Sequence, residues 1–264
     1  MPRPSLLIVP GASGLPEFYD PFVEAVTARG YDIKVLHIPS VGLVTGAREG
    51  PLPTMYDDAE FIAKHVQELA DRGNDVILVT HSYGGTSATD SVKGLTKKER
   101  HKQGLQGGII GIAYMTSLVP NVGGSAGTVK AAFPSEEKVP MEIDENGWFY
   151  YPDIPRVAEL SFSNMPKNEG EFWAAKLAKH SSTSFANPLT YAGFKDVPVS
   201  YLLCENDRAI PPQVQKAGID MIEKESGNKV DVTRIPGDHV APLSSKTEVV
   251  EWIVGVAERM SSLS

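Results

Sequence analysis

Between Val76 and Gly85 the chain reads Val-Ile-Leu-Val-Thr-His-Ser-Tyr-Gly-Gly, a run that few architectures accommodate. Four consecutive apolar residues suit a strand buried on both faces, as in a parallel sheet between helices. Gly84 and Gly85 then allow a tight reversal and close packing of a following helix. Ser82 is expected at the tip of that strand-to-helix turn, exposed beside a backbone N–H. Acyl transfer needs such a position, because an alcohol attacks a carbonyl from an unobstructed site next to an amide that binds the oxyanion. The run departs from G-x-S-x-G at Thr80, where a small but β-branched residue replaces the first glycine and slight crowding is expected.

A serine nucleophile needs a histidine and usually a carboxylate further along the chain. Lys229–Ile235 alternates like a strand, and Pro236-Gly237-Asp238-His239 follows as a turn, which sets His239 on a loop just past a strand end. Val197–Cys204 reads as another buried strand, and Asp207 lies in the loop after it. The order Ser82, Asp207, His239 matches that of α/β-hydrolases. Glu205 is the second choice for the acid, and Asp238 reads as a turn residue bonding its own backbone. The other histidines lack this context: His37 ends an early strand, His65 lies in a helix pattern, His101 in a basic surface run, and His180 at the end of a helix. His81 is expected to point away from the elbow.

The loop after the first core strand, Ser5–Val9, is Pro10-Gly11-Ala12-Ser13-Gly14. In this fold that loop supplies the second oxyanion donor, so the amides of Ala12 and Tyr83 are the candidates. A dinucleotide fingerprint is excluded, since G-x-x-G is not G-x-G-x-x-G and the next strand ends at His37-Ile38-Pro39 without an acid for a ribose. Tyr191 and Lys195 have a Y-x-x-x-K spacing, but on a stretch broken by Pro and Gly.

These motifs together resemble the α/β-hydrolase superfamily, in the branch of plant methylesterases, hydroxynitrile lyases and microbial hydrolases. The resemblance rests on V-P-G-A-S-G at 9–14, T-H-S-Y-G-G at 80–85, Y-L-L-C-E-N-D-R-A-I-P at 201–211 and I-P-G-D-H at 235–239. It implies Ser82 as nucleophile, His239 as general base and Asp207 as the acid that orients it. It also implies an α/β fold with a mostly parallel central sheet flanked by helices and an inserted cap. Pro10-Gly11 stands where the family commonly has His-Gly. Hydroxynitrile lyases of this branch carry a lysine after the histidine and a threonine in the oxyanion loop. Val240 and Ala12 occupy those places here, which favours ester hydrolysis.

A chain of 264 residues suits one α/β domain of this kind. Its net charge of −8 gives no electrostatic reason to bind nucleic acid or an anionic membrane. The basic run Lys97–Lys102 reads as a solvated helix end or loop. The single cysteine, Cys204, excludes an internal disulfide and reads as a small core residue. With no leader-like segment before the first strand and no apolar run of spanning length, a cytoplasmic location is expected. The expected partners are a small-molecule substrate and, at most, a second copy of the chain; no metal or organic cofactor is expected.

Helices are expected at Pro16–Arg29, Thr54–Arg72, Gly84–Leu95 and Lys246–Met260, with a strand at Ile109–Met115. Residues 1–119 and 194–264 would form the core and 120–193 the cap over the active site. Within the cap, Met141–Tyr151 reads as a hairpin turning at Asn146-Gly147, with helices near Arg156–Met165 and Asn168–His180. Trp148, Phe149, Phe162, Met165, Trp173 and Phe185 are the candidate lining of a moderately apolar substrate pocket, although about half are expected to serve packing alone.

Overall fold

In a computed structural model, residues 3–132 and 138–263 are described. Six strands form one sheet: β1 (Ser5–Val9), β2 (Ile33–Val35), β3 (Asp75–His81), β4 (Gly108–Met115), β8 (Val199–Cys204) and β9 (Asp231–Ile235). Their order across the sheet is β2-β1-β3-β4-β8-β9, and every neighbouring pair is parallel. The central strands are buried along nearly their whole length, as unbroken apolar runs require when helices cover both faces. The fold class is therefore the α/β arrangement expected from the motifs.

Crossovers are made by α1 (Asp20–Ala28), α2 (Met55–Ala70), α3 (Gly84–Asp90), α4 (Lys97–Lys102), α9 (Pro212–Ser226) and, closing the chain, α10 (Ala241–Ser244) and α11 (Lys246–Leu263). The expected first helix is divided, because Pro16–Tyr19 takes a 3-10 turn before α1 begins. Thr54 caps α2 through a reciprocal box with Asp57, and Ala59, Ile62 and Val66 form its buried face. The expected third helix stops early, at Asp90, whose carboxylate instead receives the amides of Thr190 and Tyr191. The basic run is not wholly solvated. Arg100 is buried and binds Asp71 and the Gly107 carbonyl.

Between β4 and β8 the chain makes an insert with α5 (Ala126–Ala131), a three-stranded sheet of β5 (Glu142–Ile143), β6 (Trp148–Tyr150) and β7 (His180–Ser181), and α6 (Ile154–Ser161), α7 (Lys167–Ala174) and α8 (Ser182–Ala186). The hairpin at Asn146-Gly147 is present, with Gly147 at a φ of 84°. His180 does not end a helix: it lies in β7, paired with Phe149, with its ring fully buried. Among the described residues no helix is long and apolar enough to cross a membrane.

Candidate active site

The carboxyl ends of β1, β3, β8 and β9 converge on one cavity. At the end of β3 the chain turns at Ser82 with a φ of 52°, a left-handed conformation that side chains rarely adopt. Three backbone bonds hold it there. The Ser82 amide donates to Met115 O at 3.2 Å, and its carbonyl accepts from Gly85 at 3.1 Å and Leu118 at 2.9 Å. Gly84 is obligatory for a separate reason, since a Cβ there would strike the carbonyl oxygens of Val9 and Pro10. Thr80 is accommodated, its hydroxyl pairing with that of Ser117 at 2.9 Å.

His239 lies on the loop after β9. Its Nε2 is 3.0 Å from Ser82 Oγ, and its Nδ1 is 2.9 Å from Asp207 Oδ2. The carboxylate accepts, so Nδ1 carries the proton and Nε2 presents its lone pair to the serine hydroxyl. Asp207 is buried and saturated: Oδ1 takes the amides of Ala209 (2.9 Å) and Ile210 (2.7 Å), and Oδ2 also takes Gln215 Nε2 at 3.3 Å. Gln215, on α9, is tied in turn to both backbone groups of Cys204. Glu205 is exposed and lies 3.7 Å from Arg234, so it does not compete for the histidine. Asp238 does more than turn the chain, because it is buried and also accepts the Asn164 amide from the insert. Burial pushes the Cys204 thiol up, with Asp207 and Asp238 adding to the effect, so it is an inert core group.

The expectation that His81 points away is corrected. Its ring centroid lies 5.0 Å from that of His239, and its Nε2 is 2.8 Å from the His239 carbonyl oxygen. A carbonyl only accepts, so Nε2 holds the proton and Nδ1 accepts from the Tyr19 hydroxyl at 2.7 Å. Tyr19 Oη receives the Gly11 amide at 3.1 Å. One buried chain of bonds therefore joins the loop after β1 to the loop bearing His239. Burial holds His81 neutral, with its pKa lowered to about 3. Its position next to Ser82 was visible in the sequence, but Tyr19, in the 3-10 turn, gave no motif to find it by.

The loop after β1 is held from the insert as well. Ser13 donates its amide to His180 Nδ1 at 3.3 Å and accepts from the Ala178 amide at 3.0 Å. Gly11 approaches Ser82 so closely that a Cβ would lie 3.0 Å from that of the serine. Among the described residues, the amides of Ala12 and Tyr83 donate to no turn or loop carbonyl. The Tyr83 hydroxyl is anchored on buried Asp58 at 2.7 Å, and burial raises the Asp58 pKa to about 6.

The cavity encloses about 750 Å³, its open mouth included, and Ala12, His81, Ser82 and His239 line it. Of the six side chains expected to line a pocket, Phe162 and Phe185 do so. The other four are not on this wall. Trp148 is buried in β6, Phe149 meets Phe185 edge-on at 5.5 Å, Trp173 packs on Phe18 at 5.2 Å, and Met165 borders an outer groove with Arg156 and Arg208. Phe18, Leu118, Val139, Met141, Leu177 and Ile210 supply apolar surface that the sequence reading did not single out.

Comparison with known proteins agrees with this fold. Residues 6–252 match the model of the alpha/beta hydrolase family. The chain is 29% identical to a probable hydrolase, R7, of Phoma sp., over 97% of this chain and 99% of that one. It is 22% identical to methylesterase 1 of Arabidopsis thaliana, over 90% and 89%. A pyrethroid hydrolase from Sphingobium faniae superimposes with a TM-score of 0.72 at 20% identity, covering 97% of both chains.

Proposed function

The chain belongs to the alpha/beta hydrolase family, and from that premise we propose that it is a serine hydrolase cleaving a small, moderately apolar carboxylic ester through an acyl-enzyme. The observation that carries this reading is the continuous relay from Ser82 Oγ through His239 to Asp207, at 3.0 and 2.9 Å, set on the strained turn at Ser82. Both distances lie within reach of proton transfer.

In this mechanism His239 Nε2 takes the Ser82 proton as Oγ bonds to the ester carbonyl carbon. The amides of Ala12 and Tyr83 bind the oxyanion, each contributing about 2.7–4 kcal/mol to transition-state stabilisation. The imidazolium, steadied by Asp207, gives its proton to the departing alcohol. Water then repeats the sequence on the acyl-enzyme and releases the acid. The insert of residues 120–193 acts as a cap, and its Phe162, Phe185 and Leu177 select for apolar substituents. The methylesterase among the similar proteins, whose name denotes an esterase, and the pyrethroid hydrolase, whose name denotes a hydrolase, support this reading.

The test is intact-protein mass after treatment with a fluorophosphonate, comparing wild type with Ser82→Ala. A single adduct on wild type alone is expected. No adduct on folded wild type, or an equal adduct on both proteins, overturns the assignment.

A further inference from the structure

One side chain on the cavity wall has no part in ester cleavage as described. Lys130, on α5, lines the same cavity as Ser82 and His239. Its Nζ lies 2.7 Å from Met141 Sδ, a thioether and so a weak acceptor. Among the described residues, which leave out Glu136 and Glu137, no carboxylate forms an ion pair with it, and no Asp or Glu lines the cavity. Among the described residues, the charged group that acts on it is another cation, Lys138. The cavity that it lines is largely apolar, with Val139, Met141 and Phe185 among its lining. Burial, and then the repulsion of Lys138, lowers its pKa to about 8, which leaves most of the ammonium charged at neutral pH.

A half-buried cation with no counter-ion among the described residues is unfavourable, and side-chain packing alone gives no reason to place it in the lining of this cavity. Leu or Met would fill that wall at less desolvation penalty. A ligand that brings its own anion removes the imbalance and gains a charge-assisted hydrogen bond in a site of low dielectric. We propose that the substrate carries, besides the ester at Ser82, an acidic oxygen group such as a carboxylate, which pairs with Lys130 across the apolar cavity. The inference rests on the hydrolase reading and narrows its substrate class from neutral esters to acidic ones. The apolar lining of the cavity then holds the hydrocarbon that separates the two groups.

The experiment compares 4-nitrophenyl monoesters of adipic, suberic and sebacic acids with 4-nitrophenyl esters of hexanoic, octanoic and decanoic acids, matched in length. The readout is the ratio of kcat/KM for acidic over neutral ester in wild type, Lys130→Met and Lys130→Arg. Wild type is expected to favour the acidic ester by about tenfold or more at one length, the range of a hydrogen bond to a charged group. In Lys130→Met that preference collapses through KM, and Lys130→Arg restores most of it. A ratio that shows no preference in wild type, or that is the same in wild type and Lys130→Met at every length, overturns the inference while leaving the hydrolase reading intact. Should no ester turn over, the hydrolase reading fails and the inference is read by calorimetry with the free diacids: tighter binding to wild type than to Lys130→Met sustains it, and equal binding overturns it.

Discussion

On the core side of the cavity Ser82, His239 and Asp207 are held by named hydrogen bonds from strand ends and loops, whereas on the insert side Phe162, Leu177 and Val139 meet the cavity through packing. Hydrogen bonds have narrow geometry, so the core side is a set of points fixed in space. Apolar contacts are non-directional, so the insert side is a surface whose shape changes when one side chain changes. A serine relay tolerates little displacement, and a substrate pocket tolerates much. The two sides meet at Ser13, which donates to His180 and accepts from Ala178 of the insert while sitting one residue from Ala12.

If that contrast is sound, substitutions on the core side lower kcat and those on the insert side change preference or stability. His239→Ala, and Asp207→Asn through loss of the correct tautomer, are expected to lower kcat by about 10⁴-fold without unfolding the chain. Steady-state rates on a 4-nitrophenyl ester with circular dichroism as control check this, and a loss below a hundredfold would break the contrast.

Phe185→Ala on the insert side should destabilise by about 3–5 kcal/mol, since the ring is buried and stacks on Tyr83 at 5.1 Å. Urea titration reads that loss. The same variant should accept bulkier acyl groups than wild type does.

Each side also holds a histidine that burial keeps neutral. The pKa of His81 on the core side and of His180 in the insert is lowered to about 3, in both cases chiefly by burial. In the unfolded chain both titrate near 6.5, so the stability they contribute is complete above that pH and declines as pH falls toward about 3. Between pH 6.5 and 4 the decline is roughly 3 kcal/mol for each. Denaturation midpoints of wild type and His180→Gln across that range should show the variant losing less. Parallel curves would mean that His180 is not held neutral.

The smallest effect sharpens the contrast most. Tyr19→Phe removes the hydroxyl between Gly11 and His81 without touching Ser82. It should lower kcat about tenfold and leave KM within twofold, the signature of misplaced groups as opposed to lost binding. A change confined to KM would assign Tyr19 to the pocket alone.

The contrast also explains which features were legible in the sequence alone. The convergence of Ser82, Asp207 and His239 was legible because each follows a strand pattern, apolar or alternating, at a turn of Gly, Pro or Asx residues, and such turns leave marks in a few consecutive letters. The parallel sheet was legible because a strand buried on both faces cannot hide among polar residues. Trp148, Phe149, Met165 and Trp173 were indistinguishable from Phe162 and Phe185, since facing the cavity depends on how the insert settles on the core. His81 was misread because its role is set by the His239 carbonyl, 158 residues away in the chain. Lys130 carried no motif, and only its surroundings make it unusual.

Under the proposed mechanism, the φ of 52° at Ser82 puts chemistry and folding at odds over one residue. Glycine would adopt that conformation with less strain, by about 1 kcal/mol or more. Selection of variants for thermal endurance alone would therefore tend to discard the hydroxyl. A sturdier but inert Ser82→Gly protein is the outcome such a screen should be guarded against, and any natural relative with glycine there would have exchanged turnover for durability.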